Sequence, residues 1–191
     1  RWGARLTPHV VTTFSLTKLP GATLLGMPMP RTITHPASTP TMSAARAHFG
    51  LSPRKKTLLV TGGSQGSVSI NSTVQAVVED ILAAGWQVLH IVGNRNPLPT
   101  VETPGYVALK YCDRMDLALA AATAVISRAG AATVSEIQLL GLPAVFVPYP
   151  VGNGEQEKNA WASLQAGSAV LVPDSDFTPD YVRATVLPLL G

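Results

Sequence analysis

The sequence predicts an α/β fold in which helices cover both faces of a parallel sheet. Three observations predict it: strand-like and helix-like segments alternate from residue 57 onward, the length of 191 residues suits one domain with an appendage, and 46% of the residues are hydrophobic. The strand-like segments are short, apolar and β-branched, as expected of strands buried on both faces. The six predicted strands are Thr57–Thr61, Gln87–Val92, Val107–Cys112, Ala124–Ser127, Ala144–Val147 and Ala169–Val172.

Helices are predicted in the gaps between these strands. From Ile70 to Leu82 apolar residues recur at intervals of three and four, which is the spacing of one buried helical face, and Gly85 is the expected stop. Thr178 followed by Pro179 is typical of an N-cap and a first helical residue. The other predicted helices are Ser43–Phe49, Asp113–Ala122, Ala132–Leu140 and Glu155–Ala166.

The composition predicts three parts. Residues 1–25 contain two short apolar stretches, His9–Phe14 and Ala22–Leu25, that resemble strands broken off from another domain, and residues 26–56 are punctuated by five prolines. We therefore predict a remnant of an N-terminal domain, a connector, and a main domain over residues 57–191. The sequence lacks an initiator Met and stops directly after a helical pattern, so we expect a fragment.

Charge is distributed unevenly along the chain, whose formal net charge is +3. Residues 1–78 contain eight Lys or Arg and no acid, whereas residues 79–191 contain six basic and eleven acidic side chains. Such a basic segment suits an anionic lipid surface, a phosphorylated ligand or a solvated linker. Nucleic acid is not expected, because few aromatic residues accompany the scattered charges. The single cysteine, Cys112, excludes an internal disulfide, and the dispersed histidines predict no metal site and no cofactor.

The loop after the first strand of the main domain, Gly62–Ser67, reads Gly-Gly-Ser-Gln-Gly-Ser. Ligands of such sheets bind at the carboxyl ends of the strands, and glycines there let backbone amides approach an anion at a helix start. The loop is neither a Walker P-loop nor a dinucleotide G-x-G-x-x-G motif. Two interpretations stay open: diphosphate binding through Ser64, Gln65 and Gly66, or a turn needed only for chain reversal.

The same glycines and Ser64 also spell G-x-S-x-G, the nucleophile elbow of α/β-hydrolases. That chemistry requires an acid and then a histidine later in the chain. His90 is the only histidine after Ser64, and it lies inside a predicted strand. No triad can be assembled, so a hydrolase is not expected.

Two further loops and one aromatic residue lie at the same predicted edge. Thr133 and Glu136 have the spacing of a capping box, but Glu136 in a first helical turn also suits the two hydroxyls of a ribose. Spacing alone does not decide between these interpretations. The polar loop Gly152–Asn159 suits sugar hydroxyls or an ordinary helix start, and Tyr111 suits either stacking on a base or a place in the core.

Five motifs occur in an order and at intervals that match one family. They are Gly62-Gly63-Ser64-Gln65-Gly66, Tyr111-x-Asp113-x-Met115, Ser127-Arg128-x-Gly130-Ala131-x-Thr133-Val134-Ser135-Glu136-Ile137, Gly141-Leu142-Pro143-Ala144-x-Phe146-Val147-Pro148 and Gln156-x-x-Asn159-Ala160. The sequence resembles the C-terminal half of the MurG family of bacterial glycosyltransferases (glycosyltransferase family 28). The resemblance is strong over Thr57–Val182 and weaker over Ala22–Gly50.

The resemblance implies a GT-B glycosyltransferase of two Rossmann-like domains, of which this part binds the nucleotide-sugar donor. The implied reaction is inverting transfer of N-acetylglucosamine from UDP-GlcNAc to undecaprenyl-pyrophosphoryl-MurNAc-pentapeptide, which converts lipid I to lipid II in peptidoglycan synthesis. The implied location is cytoplasmic and peripheral, on the inner face of the cell membrane. The catalytic residues and the acceptor site are expected in the N-terminal domain, so this chain alone is expected to bind donor without transfer.

The resemblance also implies individual donor contacts. The Ser64 loop is placed against the diphosphate, Tyr111 and the backbone of Cys112 beside uracil, and Glu136 on the ribose diol. The implied UDP-GlcNAc-binding residues are Ser64, Gln65, Gly66, Tyr111, Cys112, Ala131, Ala132, Thr133, Val134, Ser135, Glu136, Gln156 and Asn159. No essential tightly held metal is implied.

Two departures from the family pattern stand out. The family's Gly-Asn-Pro-x-Arg connector is Gly26-Met27-Pro28-Met29-Pro30 here, with Arg31 one place late, and a residue that is commonly Gln is Glu155. Alternatives to the implied function are a GT-B enzyme with another donor or acceptor, a UDP-sugar epimerase and a non-catalytic nucleotide-sugar-binding module.

Overall fold

The structure, a computed structural model, describes residues 7, 9–17, 19–30, 33, 41–100, 102–151 and 154–191. In chain order its elements are β1 (Val11–Thr12), β2 (Thr23–Leu24), α1 (Met42–His48), β3 (Thr57–Thr61), α2 (Val68–Ala83), β4 (Gln87–Ile91), β5 (Tyr106–Leu109), α3 (Met115–Ala121), β6 (Ala124–Ser127), α4 (Ala131–Leu139), β7 (Ala144–Phe146), α5 (Glu155–Gln165), β8 (Ala169–Leu171), α6 (Pro179–Tyr181), a π-helical turn (Val182–Val186) and α7 (Leu187–Leu190). None of the helices in these described ranges is long and apolar enough to cross a membrane.

The main sheet has six strands in the order β5-β4-β3-β6-β7-β8, and every described pair is parallel. This is the strand order of doubly wound nucleotide-binding folds, with β3 as the first strand. The order reverses between β3 and β6, so their carboxyl ends leave a crevice between them. The helices that follow these two strands, α2 and α4, pack on opposite faces of the sheet.

Burial on both faces explains the apolar strands. Leu58 and Val60 of β3 pack in a core with α2 and the C-terminal helices, whereas Leu59 points to the other face and packs with α3, α4 and α5. All five residues of β3 and all five of β4 are buried. A central strand that is buried on both faces has no exposed face, so its residues do not alternate between apolar and polar. The predicted parallel sheet is confirmed.

Most predicted strands are confirmed to within one residue, but the end of β5 is wrong. The prediction extended to Cys112, whereas the strand ends at Leu109 and the chain bends at Lys110. Cys112 is buried in the core cluster that contains Leu119 of α3. Its apolar surroundings thus come from packing beside a helix and not from strand pairing.

Helix α1 is fixed to the amino end of the sheet by a buried arginine. Arg46 is 5% exposed. Its Nε donates to the Ala121 carbonyl at 3.0 Å, Nη1 to the Pro53 carbonyl at 3.1 Å and Nη2 to Thr123 Oγ1 at 2.8 Å. Burial lowers the pKa of Arg46 from its usual value. The preceding residue, Ala45, packs in a cluster with α3.

The segment before α1 contains a small parallel pair, β1 and β2, within the two predicted strand-like stretches. Val11 pairs with Thr23 and Thr12 with Leu24. The connector departure at Arg31 lies outside the described residues.

A buried polar network joins α2 to β4 and β5. His90 Nε2 lies 3.0 Å from Asn71 Oδ1, and His90 Nδ1 lies 2.8 Å from Tyr106 Oη. Because the Asn oxygen only accepts, Nε2 carries the proton and Nδ1 accepts from the tyrosine hydroxyl. Burial lowers the pKa of His90 to about 4 and raises that of Tyr106 to about 12. His90 is therefore a buried structural residue whose two ring nitrogens are both hydrogen-bonded, and it cannot act as a general base for Ser64.

This network predicts a pH dependence of folding. Unfolded His90 binds a proton near its ordinary pKa, whereas the native side chain resists protonation until about pH 4, so stability falls as pH drops through this window. We expect the free energy of unfolding to fall by about 2 kcal/mol more between pH 7 and pH 5 in the wild type than in His90→Gln. Urea unfolding at the two pH values measures it. His48→Gln, at an exposed position, is expected to keep the wild-type slope.

Candidate functional site

The loop Gly62–Ser67 folds back on itself between β3 and the start of α2. A Cβ at Gly62 would lie 2.3 Å from the Ser67 nitrogen, so only glycine fits there. Ser67 is the N-cap of α2, and its hydroxyl accepts from the Ile70 amide at 3.3 Å. The loop thus brings backbone amides to the positive end of a 16-residue helix, an arrangement that favours an anion.

A second loop, after β4, packs against this cradle. Gly66 and Gly93 both have positive φ, and a Cβ on Gly66 would lie 2.0 Å from the Val92 carbonyl oxygen. The Asn94 amide donates to the Ser64 carbonyl at 3.2 Å, and Asn96 Nδ2 donates to the Gln65 carbonyl at 3.1 Å. The β4–β5 loop therefore holds the cradle in shape.

A cavity of about 920 Å³ opens where β3 and β6 end. It is large enough for a nucleotide-sized ligand. Its lining residues are Thr61, Gly62, Gly63, Gln65, Gly66, Ser67, Val68, Ser69, Arg95, Asn96, Ser127, Arg128, Gly130, Thr133, Tyr149, Pro150, Gln156 and Asp174. Its position is the topological switch point, where ligands of this class of fold bind.

Arg128 ties three loops together at the wall of this cavity. It forms an ion pair with Asp174, in which the two side chains are 13% and 20% exposed. It also donates to the Pro148 carbonyl at 2.8 Å and to Ser67 Oγ at 2.7 Å. Ser69 Oγ donates to Asp174 Oδ1 at 2.6 Å. Sequence reasoning included Arg128 in a motif but missed this role, because its partner lies 46 residues away.

Of the two interpretations that the spacing of Thr133 and Glu136 left open, the capping box is not formed in the structure. Gly130 is the N-cap, with φ −65° and ψ 147°, and Ala131 is the first helical residue. Thr133 is therefore inside the helix and lines the cavity, while Glu136 lies in the second turn rather than the first. Because Gly130 already occupies the N-cap position three residues after β6, Thr133 cannot serve as the N-cap of α4.

Glu136 is not among the residues that line the 920 Å³ cavity, and its carboxylate is unpaired among the described residues. None of the residues that the structure describes hydrogen-bonds its carboxylate, and the residue is partly buried. Burial raises its pKa above the ordinary value. A partly desolvated carboxylate with both oxygens available suits a pair of hydroxyl groups.

The predicted site residues are only partly brought together. Gln65, Gly66, Thr133 and Gln156 line the cavity of about 920 Å³, whereas Ser64 lies exposed on the loop beside it. The others on α4 have different surroundings: Ala131 and Ala132 form its first turn, Val134 is fully buried in the core, and Ser135 Oγ donates to the Ala131 carbonyl at 2.9 Å.

The polar residues at the start of α5 bond to neighbouring loops. Gln156 Oε1 accepts from the Tyr149 amide at 2.9 Å, and Asn159 Nδ2 donates to the Ala129 carbonyl at 3.1 Å. Both side chains thus shape the loops that follow β7 and β6, and the Gln156 amide nitrogen stays available at the cavity. Gly152 and Asn153 of this predicted loop lie outside the described residues.

Tyr111 and Cys112 line a separate cavity of about 360 Å³ together with His48, Phe49 and Asp113. Cys112 packs in the same core cluster as Val134 and Ile137 of α4, so this cavity lies on the α4 face of the sheet. Tyr111 is 50% exposed, so its ring is not a core residue. Burial raises the pKa of the Cys112 thiol, which argues against a nucleophile.

The described side chains contain no group of three His, Cys, Asp or Glu that could hold a metal ion.

Comparison with known sequences assigns the domain. Residues 57–190 match the family model described as "Glycosyltransferase family 28 C-terminal domain". The chain belongs to this family. The resemblance stated from the five motifs is thereby confirmed, and the family 28 match covers the whole parallel sheet.

Two curated relatives of this family 28 chain carry the same name. The UDP-N-acetylglucosamine--N-acetylmuramyl-(pentapeptide) pyrophosphoryl-undecaprenol N-acetylglucosamine transferase of Leifsonia xyli subsp. xyli is 50% identical over 191 residues, which are 100% of this chain and 53% of the relative. The transferase of that name from Streptomyces avermitilis is 45% identical over 193 residues, 99% of this chain and 53% of the relative. The chain spans about half the length of the curated relatives it matches.

Solved structures confirm the predicted fold. Acinetobacter baumannii MurG superposes with a TM-score of 0.74 at 23% identity, covering 98% of this chain and 53% of that one. The glycosyltransferase VinC in complex with dTDP superposes with a TM-score of 0.51 at 22% identity, covering 72% of this chain and 34% of that one. The family 28 domain thus has the fold of the C-terminal half of a GT-B glycosyltransferase.

Proposed function

We propose that this chain binds UDP-N-acetylglucosamine as the donor part of an inverting N-acetylglucosaminyltransferase. The observation that carries the proposal is the cavity at the switch point of the sheet, one wall of which is the amide cradle of Gly62–Ser67. The relatives' shared name supports the choice of donor. In the whole enzyme the acceptor is undecaprenyl-linked lipid I and the product is lipid II, made at the inner face of the cytoplasmic membrane for peptidoglycan synthesis.

The cradle accounts for the leaving group. In glycosyl transfer from a UDP-sugar the C1–O bond to the diphosphate breaks, and the negative charge that develops on UDP needs stabilisation. Peptide amides at Gly62–Ser67 and the positive end of α2 supply it without a side-chain cation in the loop. The ring of Tyr111 and the backbone of Cys112 are assigned to uracil, and the Glu136 carboxylate to the ribose diol.

The transfer step itself is assigned to the part of the enzyme that this chain does not span. The chain covers about half of its relatives, and the catalytic base and acceptor contacts are proposed to lie in the other half. Residues 1–25 are proposed to belong to that acceptor domain, and residues 26–56 to the connector. We therefore expect this chain to bind donor and to lack transferase activity alone.

Titration calorimetry with UDP-GlcNAc, UDP-galactose, UDP, dTDP and ADP tests the proposal. UDP-GlcNAc and UDP are expected to bind, with ADP much weaker. dTDP is included because the structurally similar VinC is in complex with it. Tightest binding of UDP-galactose or dTDP would favour another donor, and a preference for ADP or no binding of any uridine nucleotide would exclude the proposal.

Glu136→Ala separates the ribose role from a structural one. We expect UDP binding to weaken by about 1.5–3 kcal/mol, because a hydrogen-bonded charged group is lost. The free energy of unfolding is expected to change by less than about 0.5 kcal/mol, since no described residue depends on this carboxylate. Calorimetry and urea unfolding measure the two quantities.

The control for this variant is Glu157→Ala, which removes an exposed carboxylate from α5 and is expected to leave both quantities unchanged. UDP carrying a 2′-deoxyribose adds a second check, because Glu136→Ala is expected to cost less with this ligand than with UDP. Equal losses of stability and affinity in Glu136→Ala would contradict the ribose assignment.

A further inference from the structure

We propose that Arg95 supplies the cation that pairs with the diphosphate of the bound nucleotide. The assignment rests on the proposed function, because it concerns the same cavity and the same class of ligand. Sequence reasoning did not single out Arg95, which lies in the loop between β4 and β5 and belongs to none of the five motifs. Its side chain is exposed and lines the cavity beside the glycine cradle.

The backbone on both sides of Arg95 is anchored to the cradle. Before it, the Asn94 amide donates to the Ser64 carbonyl at 3.2 Å. After it, Asn96 Nδ2 donates to the Gln65 carbonyl at 3.1 Å and to the Val92 carbonyl at 2.9 Å. The Arg95 side chain therefore starts from a fixed point next to the loop that is expected to hold the diphosphate.

The charges that line the cavity leave Arg95 as the source of net positive charge. The other lining cation, Arg128, is paired with the lining carboxylate of Asp174, and its remaining hydrogen bonds go to serine hydroxyls and backbone carbonyls. Among the described residues nothing forms an ion pair or hydrogen bond with the Arg95 guanidinium. A diphosphate in this cavity therefore meets one uncompensated cation.

The chemistry of the side chain fits this ligand. A guanidinium presents two parallel N–H donors that match two phosphate oxygens, and it stays charged at any physiological pH. Because Arg95 is exposed, its contribution is expected to be moderate and to decrease with salt.

The test compares Arg95→Ala with Arg54→Ala in the 191-residue chain. Arg54 is exposed in the turn that precedes β3, at the opposite end of that strand, so both variants lower the net charge by one. Calorimetry gives Kd for UDP and for uridine at about 0.05 M and about 0.5 M NaCl. Arg95→Ala is expected to weaken UDP binding about fivefold to tenfold at the lower salt and less than about twofold at the higher.

Uridine carries no phosphate, so Arg95→Ala is expected to change the Kd for uridine less than about twofold. Arg54→Ala is expected to change the Kd for UDP and the Kd for uridine less than about twofold each. Equal UDP affinities of Arg95→Ala and Arg54→Ala at low salt would overturn the assignment of Arg95 and leave UDP binding by the cradle intact. Equal weakening of UDP and uridine would also overturn it, since the loop and not the charge would then be responsible. Failure of the unmodified chain to bind UDP would remove the proposed function and this inference together.

Discussion

Gly66→Ala is expected to lower the free energy of unfolding by at least about 3 kcal/mol and to abolish measurable UDP binding. Gly66 has φ +80°, where an alanine is strained, and its Cβ would lie 2.0 Å from the Val92 carbonyl oxygen and 2.3 Å from Asn96 Nδ2. The carbonyl belongs to backbone at the end of β4 and cannot move aside cheaply. Relief of the clash therefore requires the cradle and the β4–β5 loop to separate.

Gly63→Ala is the matched control for this prediction. Gly63 has nearly the same backbone conformation, φ +85°, but a Cβ there has no neighbour within 4 Å. It is expected to cost only about 1–2 kcal/mol, the strain of an alanine in the left-handed region. Urea unfolding and calorimetry with UDP measure both variants. Similar losses in the two would show that close packing of the loops is unimportant.

Arg128→Ala is expected to destabilise the chain by about 3 kcal/mol, because it leaves the mostly buried Asp174 carboxylate without its cation. The variant also removes donors to Ser67, the N-cap of α2, so UDP binding is expected to weaken as well. Arg183→Ala is the control: its ion pair with Asp80 is about half exposed, and its loss is expected to destabilise the chain much less than the loss of Arg128.

A double-mutant cycle tests the pair itself. Asp174→Ala alone is expected to destabilise, and the double variant Arg128→Ala/Asp174→Ala is expected to cost clearly less than the sum of the two single changes. Additive losses would mean that the ion pair does not couple the loops after β6 and β8. Urea unfolding of the four proteins at one pH gives the coupling free energy.

The fold could be predicted because its signals are local. β3 and β6 match their predicted bounds, since an apolar β-branched run ends abruptly at a glycine-rich or small-residue loop. The end of β5 could not be predicted in the same way. Cys112 is buried because it packs beside α3. The sequence pattern of an apolar residue does not distinguish burial against a helix from burial within a strand.

The site was predictable only where its residues lie in one loop. The Gly62–Ser67 cradle is continuous in sequence, and its chemistry could be stated before its geometry. The start of α4 is predicted to within one residue, Ala132 against the observed Ala131, but the capping-box spacing of Thr133 and Glu136 has no counterpart in the structure, because Gly130 is the N-cap. The pairing of Arg128 with Asp174 depends on a contact between loops that are 46 residues apart in sequence, and no local sequence pattern indicates it.

The anchoring of α1 bears on where this protein can be shortened. A chain trimmed to the family match, which begins at Thr57, would lose the guanidinium of Arg46 and uncover the Ala121 carbonyl and Thr123 hydroxyl that it binds. It would also remove Leu51, which is 4% exposed, from one of the two cores. The stretch that cooperates in folding therefore starts upstream of the stretch by which the family is recognised, and expression boundaries belong before Thr41, the N-cap of α1.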